Sequence, residues 1–247
     1  MSRTPVGTTE PERRGRRLFG IRTVVAFVAA VLFAVLAVLV RASAGPVVRL
    51  DRRTSRRLHG YALSHHAFTT AMRTVSNSAT TLVWTVVLLL VVGWLLYRRL
   101  FKLAAFVVVT DAGSLLLNNL IKLAVGRARP HLADPVAEAA GKSFPSGHSQ
   151  AAIVGFAILV AVFLPAVARS LRPWLIGLAA VLVLLIGFSL IALGVHYLSD
   201  VVGAYLIGSV WFIGMASAFG AWRQATGRPA PSATEGLEPE QGGRLTP

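Results

Sequence analysis

The chain has 247 residues, of which 55% are hydrophobic and 14% charged, and its mean hydropathy is +0.65. This balance excludes an ordinary water-soluble domain and predicts a protein whose solvent is the lipid bilayer. The net charge of +15 comes from basic residues beside apolar segments, without a DNA- or RNA-reading motif. We therefore expect membrane lipids and phosphate groups as partners, and no nucleic acid. Cysteine is absent, which excludes disulfides, zinc–thiolate sites and a thiol nucleophile.

The N-terminal region predicts a basic segment followed by a membrane span. Residues 1–20 are polar and rich in arginine, which is typical of a cytoplasmic flank. An apolar run from about Thr23 to Val40 follows and is long enough to cross the bilayer. A cleaved signal peptide is the alternative, because the sequence at 42–44 resembles a cleavage site. The run is longer than the roughly 7–15 apolar residues of a signal peptide, which favours a retained span.

The remainder predicts an all-α bundle of six transmembrane helices over residues 21–220. Residues 41–80 carry seven arginines without a clean apolar run, which predicts a juxtamembrane helix or loop at the interface. Residues 221–247 are rich in Pro, Gly, Glu and Thr and predict a disordered tail. The five later spans are expected at about Leu82–Tyr97, Leu103–Ile121, Ala151–Val167, Trp174–Leu193 and Val201–Phe219.

The basic residues of the connections predict an orientation. The termini and the connections 98–102 and 169–172 carry 14 basic residues, against 11 on the other side. The positive-inside rule then places the N-terminus in the cytoplasm. Span parity puts residues 41–80, 122–148 and 194–200 on the outer face.

The first of three polar motifs on that face runs from Lys122 to Pro130. Its Lys122 and Arg129 offer a point charge and a forked donor, which suit a phosphate dianion, and Arg127 is a further cation. Taken alone, such residues are also typical of interfacial anchors at the end of a span.

The second motif, Pro145-Ser146-Gly147-His148, opens the fourth predicted span. Ser146 can cap the helix, and Gly147 lets an anion approach the free backbone N–H groups of the first turn. A plain helix cap is the alternative for Ser146, but it leaves His148 at the membrane boundary unexplained.

The third motif places His196 and Asp200 four residues apart at the start of the sixth predicted span. On a helix they share a face, so the carboxylate can orient the imidazole. A structural pair is the alternative, but a carboxylate-held histidine facing a phosphate cradle is the arrangement of an activated nucleophile. The three motifs together predict a phosphoryl-transfer site. Few His or acidic residues lie within the spans, so we expect no metal and no cofactor.

These motifs resemble the signature of the type 2 phosphatidic acid phosphatase (PAP2) family, which is K-x6-RP, then PSGH, then S-R-x5-H-x3-D. The first motif is matched in full by residues 122–130 and the second by residues 145–148. The third is matched at Ser189, His196 and Asp200. The order and spacing of the three motifs are jointly specific.

The resemblance covers roughly residues 45–220 and implies a PAP2/haloperoxidase-like core with its active site on the outer face of a bacterial cell membrane. It implies that His196 attacks phosphorus to form a phosphohistidine, that Asp200 orients this histidine, and that His148 protonates the leaving alkoxide. It further implies that no metal takes part. The implied substrate is a polyprenyl diphosphate, phosphatidic acid or phosphatidylglycerol phosphate. The residues implied to hold the phosphate are Lys122, Arg129, Ser146 and Gly147.

The third motif departs from the family at one position, where Leu190 replaces an arginine. Loss of one transition-state donor commonly lowers the rate by roughly 10²–10³, and Arg127 is the candidate to replace it. Two functions therefore remain open. An active phosphatase is favoured by His148, His196 and Asp200, whereas a catalytically weak relative that binds or transports lipid phosphates is favoured by Leu190.

A small transporter or channel is a third possibility, because Asp111 lies among apolar residues of the third predicted span. A buried pairing with Ser114 or with a neighbouring helix is the simpler interpretation. The sequence leaves the lipid phosphate and the oligomeric state open.

Overall fold

The computed structural model describes residues 10–132, 137, 140–228 and 235–245. This part of the chain contains helices and no strand, as the sequence predicts. The longer helices are α1 (Glu10–Arg41), α2 (Gly45–Ser64), α3 (His66–Asn77), α4 (Thr81–Tyr97), α5 (Phe101–Val125), α6 (Gly147–Phe163), α7 (Arg172–Ala192) and α8 (Leu198–Ala225). Two 3₁₀ helices span Leu164–Ala166 and Pro239–Arg244.

Five of the described helices are long and apolar enough to cross a membrane. They are residues 20–41 of α1, then α5, α6 with the 3₁₀ turn after it, α7 and α8. Helices α3 and α4 form a sixth segment of this kind, bent by 43° at their junction. Thr80 caps α4 there: its side chain accepts a hydrogen bond from the Val83 N–H over 3.2 Å. The count of five or six agrees with the predicted multi-pass bundle.

The N-terminal helix α1 lies at the edge of the bundle, against α8. Most of its apolar side chains are exposed, as expected for a helix surrounded by hydrocarbon. Its last turn reaches α5, where Arg41 donates a hydrogen bond to the Ala124 carbonyl oxygen. Residues 10–20 of the predicted basic N-terminal segment belong to α1, and residues 1–9 lie outside the described part of the chain.

The segment predicted as a juxtamembrane helix or loop forms α2 and α3. Helix α2 is amphipathic: arginines occupy its exposed side, whereas Asp51, Ser55 and His59 are buried. Its buried side contacts α7 and α8. This helix therefore covers one end of the bundle with polar groups.

The largest apolar cluster joins α4, α5 and α6 within the membrane-spanning part of the bundle. Fully buried Leu95, Leu103 and Ile158 are at its centre. The end of α7 and the starts of α6 and α8 lie together on the side that α2 covers.

The C-terminal residues differ from the predicted disordered tail. Helix α8 continues to Ala225, and residues 235–245 contact the end of α6. The Leu237 N–H donates to the Ala161 carbonyl oxygen over 2.9 Å. Buried Arg223 of α8 pairs with Glu238 at 3.3 Å and with Glu240 at 2.7 Å. These ion pairs hold residues 235–245 near the end of α8, although this segment lacks apolar periodicity. Residues 229–234 and 246–247 lie outside the described residues.

Candidate active site

The three sequence motifs meet at one end of the bundle. The first follows the end of α5, the second opens α6, and the third lies between α7 and α8. A guanidinium nitrogen of Arg129 lies 3.0 Å from a ring nitrogen of His196. The Ser146 backbone N–H donates to the Asp200 carbonyl oxygen over 3.1 Å. These contacts join residues that are more than fifty positions apart in the chain.

Described residues at both ends of the loop between α5 and α6 are held by backbone and side-chain contacts. Gly126 ends α5 with a left-handed conformation at φ 69°, which glycine adopts without strain. The Ser143 N–H then donates to the Arg127 carbonyl oxygen over 2.9 Å. Phe144 is fully buried beside Gly203 of α8, where a Cβ atom would lie 2.6 Å from the phenyl ring. The loop is therefore held against the start of α8.

His196 is almost fully buried in the short connection before α8. Gly194 precedes it with φ 71°, a conformation that permits the tight turn. The ring Nδ1 lies 3.4 Å from Asp200 Oδ2, and Nε2 lies 3.0 Å from Arg129 Nη1. A guanidinium can only donate, so Nε2 is the acceptor and Nδ1 carries the proton.

Burial lowers the pKa of His196 below its usual value, and the nearby Asp200 carboxylate opposes this shift. The usual histidine pKa is about 6.5, and the pKa of His196 lies below it, so the neutral imidazole dominates at neutral pH. Its Nε2 lone pair points at a cation. A histidine in this state is available as a nucleophile for phosphorus.

The Asp200 carboxylate is held from several directions. Its Oδ2 accepts hydrogen bonds from the Tyr197 backbone N–H at 2.8 Å and from the Ser143 hydroxyl. Its Oδ1 accepts from Arg127 Nη1 at 2.7 Å. Asp200 is fully buried, so these contacts define the orientation of the oxygen that faces His196.

Two further cationic or titratable groups lie at the start of α6. Lys122 Nζ lies close to Gly147: a Cβ atom added at this glycine would be 3.4 Å from the nitrogen. Among the described residues, none forms a hydrogen bond or ion pair with this ammonium or with the ring of His148. His148 interacts electrostatically with His196, Arg129 and Lys122, which places the four groups around one space.

Ser146 caps α6, as its position in the sequence predicts. The Ser149 N–H lies 3.4 Å from the Ser146 Oγ, and the backbone at Ser146 is extended. The first turn of α6 thus presents backbone N–H groups and the positive end of its dipole. This is a suitable place for an anion.

Arg129 is fixed by backbone oxygens. Its Nε donates to the Ala140 and Gly141 carbonyls over 3.1 and 3.2 Å. Its Nη1 donates to the Val195 carbonyl over 2.9 Å and also faces His196. These contacts hold the guanidinium in front of the imidazole.

The expectation that Arg127 contacts a phosphate does not agree with its position. Its Nη2 lies 2.6 Å from Asp51 Oδ2, and its Nη1 lies 2.7 Å from Asp200 Oδ1. Its guanidinium also stacks on the Tyr197 ring, with the carbon 4.1 Å from the ring centre. Two carboxylates thus draw Arg127 to the side of Asp200 that faces away from the imidazole, so it does not replace the cation missing at position 190.

The side chain of Leu190 contributes no polar group to the site. Its side chain is 2% exposed and belongs to an apolar cluster with Met72, Leu193 and Val195. Its carbonyl oxygen accepts the His196 backbone N–H over 3.3 Å. The residue therefore shapes the turn before His196 through its backbone.

Asp51 and Ser143 are site residues that sequence reasoning missed. Both contact the site from outside the three motifs, Asp51 from 148 residues away along the chain. The only available signal for Asp51 was that it is the single acidic residue in an arginine-rich segment.

Two other expectations concern metals and Asp111. Among the residues that the structure describes, no group of three or more His, Asp or Glu side chains is arranged to hold a metal ion. The Ser114 hydroxyl, expected to pair with Asp111, is engaged by Gln150 Nε2 at 3.0 Å. Gln150 also accepts from Asn118 Nδ2 at 2.9 Å. These amides form a buried link between α5 and α6.

Comparison with known proteins indicates a family and a fold. The family model of the PAP2 superfamily matches residues 103–224. Phosphatidylglycerophosphatase B of Bacillus subtilis (strain 168) is 34% identical over 100 residues, which are 39% of this chain and 48% of that protein. The chain thus spans about half the length of the curated relative that it matches. The crystal structure of a transmembrane PAP2-type phosphatidylglycerolphosphate phosphatase from Bacillus subtilis has a TM-score of 0.66 at 23% identity, covering 78% of this chain and 94% of that one.

The fold and the site define a multi-pass helical membrane protein whose cations and carboxylate-oriented histidine lie at one end of the bundle. The chain belongs to the PAP2 superfamily. This confirms the family that the three motifs indicated.

Proposed function

We propose that this protein is a metal-independent lipid phosphate phosphatase of a bacterial cell membrane that acts through a phosphohistidine. One observation carries the proposal: the Nε2 of His196 faces Arg129, while Nδ1 faces Asp200. Lys122 and His148 lie beside the same space without a hydrogen-bonding partner among the described residues. The name of the B. subtilis relative makes phosphatidylglycerol phosphate the first substrate to test. Phosphatidic acid and polyprenyl diphosphates are the other candidates.

In the first step the phosphate binds between the start of α6 and the two cations. Lys122 Nζ and the Arg129 guanidinium neutralise its oxygens, and the first-turn N–H groups after Ser146 donate to it. The Arg129 N–H that faces Nε2 turns to a phosphate oxygen. This exchange frees the nucleophilic lone pair only when substrate is present.

In the second step His196 Nε2 attacks phosphorus, and the bond from phosphorus to the lipid oxygen breaks. Protonated His148 gives its proton to the leaving alkoxide. The imidazole becomes positively charged on phosphorylation, and Asp200 stabilises it through the Nδ1 proton.

In the third step water attacks the phosphohistidine. His148, now neutral, accepts a proton from this water, and the phosphorus–nitrogen bond breaks to release inorganic phosphate and neutral His196. The cations that stabilise charge in both steps are side chains of the protein, so the proposed reaction uses no metal and no cofactor.

The proposed orientation places the site on the outer face of the membrane. The motifs lie at the end of α1 opposite its N-terminus, as the contact between Arg41 and Ala124 indicates. The basic residues favour a cytoplasmic N-terminus, with 14 on that side and 11 on the other.

Binding or transport of lipid phosphates without efficient turnover is the second candidate. It is supported by Leu190, because this position lacks the family arginine and its side chain is buried among apolar residues. Arg127 does not compensate, since it is paired with Asp51 and Asp200.

The test is phosphate release by the detergent-purified protein from each of the three candidate substrates, with and without EDTA. His196→Ala is the blank, and His66→Ala is the matched control because His66 is exposed on α3. We expect release that EDTA does not reduce, that His66→Ala keeps and that His196→Ala loses. Equal retention of labelled lipid by wild type and His196→Ala, with no release from any substrate, would instead support the binding function.

A further inference from the structure

Asp51 connects the amphipathic helix α2 to the candidate active site. It is the single acidic residue of α2, it is 1% exposed, and it lies outside the region that the family model matches. None of the three sequence motifs includes it. A buried carboxylate is unfavourable unless it is fully paired, so its partners indicate what it does.

The partners of Asp51 are two residues beside the nucleophile. Its Oδ2 accepts hydrogen bonds from Arg127 Nη2 and from the Ser199 hydroxyl, both at 2.6 Å. Its Oδ1 accepts the Ser199 backbone N–H at 3.0 Å. Ser199 is the second residue of α8, so Asp51 also satisfies one of the free N–H groups at the start of that helix.

Arg127 lies between two carboxylates. One side of its guanidinium contacts Asp51, and the other contacts Asp200 Oδ1 at 2.7 Å. Asp200 in turn faces His196 Nδ1 through its other oxygen at 3.4 Å. The four side chains form a continuous series from α2 to the imidazole.

The contact between Asp200 and His196 is the longest in this series. Without the Asp51 charge, Arg127 would be neutralised by Asp200 alone and would draw that carboxylate away from the ring. The imidazole would then lose the acceptor of its Nδ1 proton, and Arg129 alone would be left to favour this tautomer. The charge on Asp51 opposes this movement by sharing the guanidinium.

We propose that Asp51 is a positioning residue for the reaction: by holding Arg127 and the first turn of α8, it keeps Asp200 in place to orient His196. The effect on catalysis rests on the proposed function. The effect on the imidazole does not, because the tautomer of His196 exists whether or not the protein turns over a lipid phosphate.

The kinetic test combines Asp51→Asn with Arg127→Gln, singly and together, on the substrate that wild type hydrolyses. Asp51 does not contact the phosphate cradle, so Asp51→Asn should lower kcat by up to about 100-fold with KM unchanged. In the Arg127→Gln background the same substitution should have a much smaller effect, because only the contacts of Asp51 with Ser199 are left to lose. Equal losses in both backgrounds, or a rise in KM alone, would overturn the proposal.

Asp111→Asn is the matched control. It makes the same chemical change in α5, away from the series, and should keep the wild-type kcat. If Asp51→Asn does not fold, Ser199→Ala replaces it, because this variant removes only the hydroxyl that Asp51 and Arg127 share. It should lower kcat several-fold at constant KM, and an unchanged kcat would count against the proposal.

The second readout is the ¹⁵N spectrum of histidine-labelled protein in nanodiscs, with the His196 signals assigned by their loss in His196→Gln. We expect the Nδ1-protonated tautomer in wild type and a mixture of tautomers in Asp51→Asn. An unchanged tautomer in Asp51→Asn would overturn the positioning role. If wild type releases no phosphate from any lipid but the tautomer changes as expected, then the proposed function fails and the role of Asp51 remains.

Discussion

At the scale of single residues, the three cations of the site differ in the groups that they contact. Arg127 is paired with two buried carboxylates, whereas Lys122 and Arg129 lie around the space in front of His196. The sequence places all three on one segment and makes them equivalent candidates for phosphate binding. The ion pairs with Asp51 and Asp200, both far away in the chain, distinguish Arg127 from the others.

Substitution of Leu190 by arginine tests whether the departure from the family pattern is a simple defect. The side chain is 2% exposed in an apolar cluster, so an arginine there would be buried without a carboxylate partner. We expect Leu190→Arg to destabilise the protein by roughly 1–3 kcal/mol without raising kcat. Thermal unfolding in detergent and phosphate release measure the two effects. Leu190→Met is the conservative control, and a stable, faster Leu190→Arg variant would contradict the prediction.

The protonation of His196 tests the electrostatics of the site. Burial disfavours the charged imidazole and lowers its pKa, whereas the Asp200 carboxylate raises it. The ring should therefore stay neutral until the pH falls below the usual midpoint of about 6.5. Asp200→Asn should move the midpoint lower still, since it removes the stabilising charge. Histidine NMR titration measures both, and a wild-type midpoint above the usual value would show that this account of the site is wrong.

At the scale of helices, the start of α6 and the start of α8 supply the two halves of the site. The sequence predicts the start of α6, because Ser146 has the features of a helix cap. It places His196 on the same helix as Asp200, whereas α8 begins at Leu198 and His196 lies in the connection before it. It does not predict that α2 covers them. The hydrogen bonds of α2 to Arg127 and to the start of α8 come from Asp51, whose partners are remote in the chain.

Gly147 is expected to leave room for the phosphate at the start of α6. A methyl group at this position would lie 3.4 Å from Lys122 Nζ and would enter the cradle. We expect Gly147→Ala to lower kcat/KM by roughly tenfold or more while the protein stays folded. Gly177→Ala in α7 is the matched control, because a Cβ atom there meets nothing within 4 Å. Equal activity of the two variants would exclude a close approach of substrate to Gly147.

At the scale of the whole molecule, hydropathy and three short motifs were sufficient to predict the fold class and the convergence of the site. The hydropathy of a segment indicates whether its helix is surrounded by lipid. The number of spans between the three motifs places all of them at the same end of the bundle. Hydropathy did not indicate the contacts of residues 235–245, because Arg223 binds Glu238 and Glu240 there through ion pairs rather than through apolar periodicity. Such pairs leave no periodic pattern that a sequence reader can detect.

The orientation of the bundle can be measured directly because the native chain has no cysteine. Lys142→Cys is exposed on the side of the site, and Arg169→Cys is exposed on the opposite side. We expect a membrane-impermeant maleimide to label Lys142→Cys in intact cells and Arg169→Cys only after lysis. The reverse pattern would place the site in the cytoplasm.

The most direct test of the central claim is the exchange of ¹⁸O between labelled inorganic phosphate and water, catalysed by the purified protein in nanodiscs. A phosphohistidine made from inorganic phosphate releases one oxygen as water, and its hydrolysis inserts an oxygen from the solvent. At phosphate concentrations that inhibit lipid phosphate hydrolysis, we predict loss of label that EDTA does not reduce and that His196→Ala abolishes. Exchange at the wild-type rate in His196→Ala, or lipid phosphate hydrolysis by wild type without any exchange, would contradict His196 as the nucleophile.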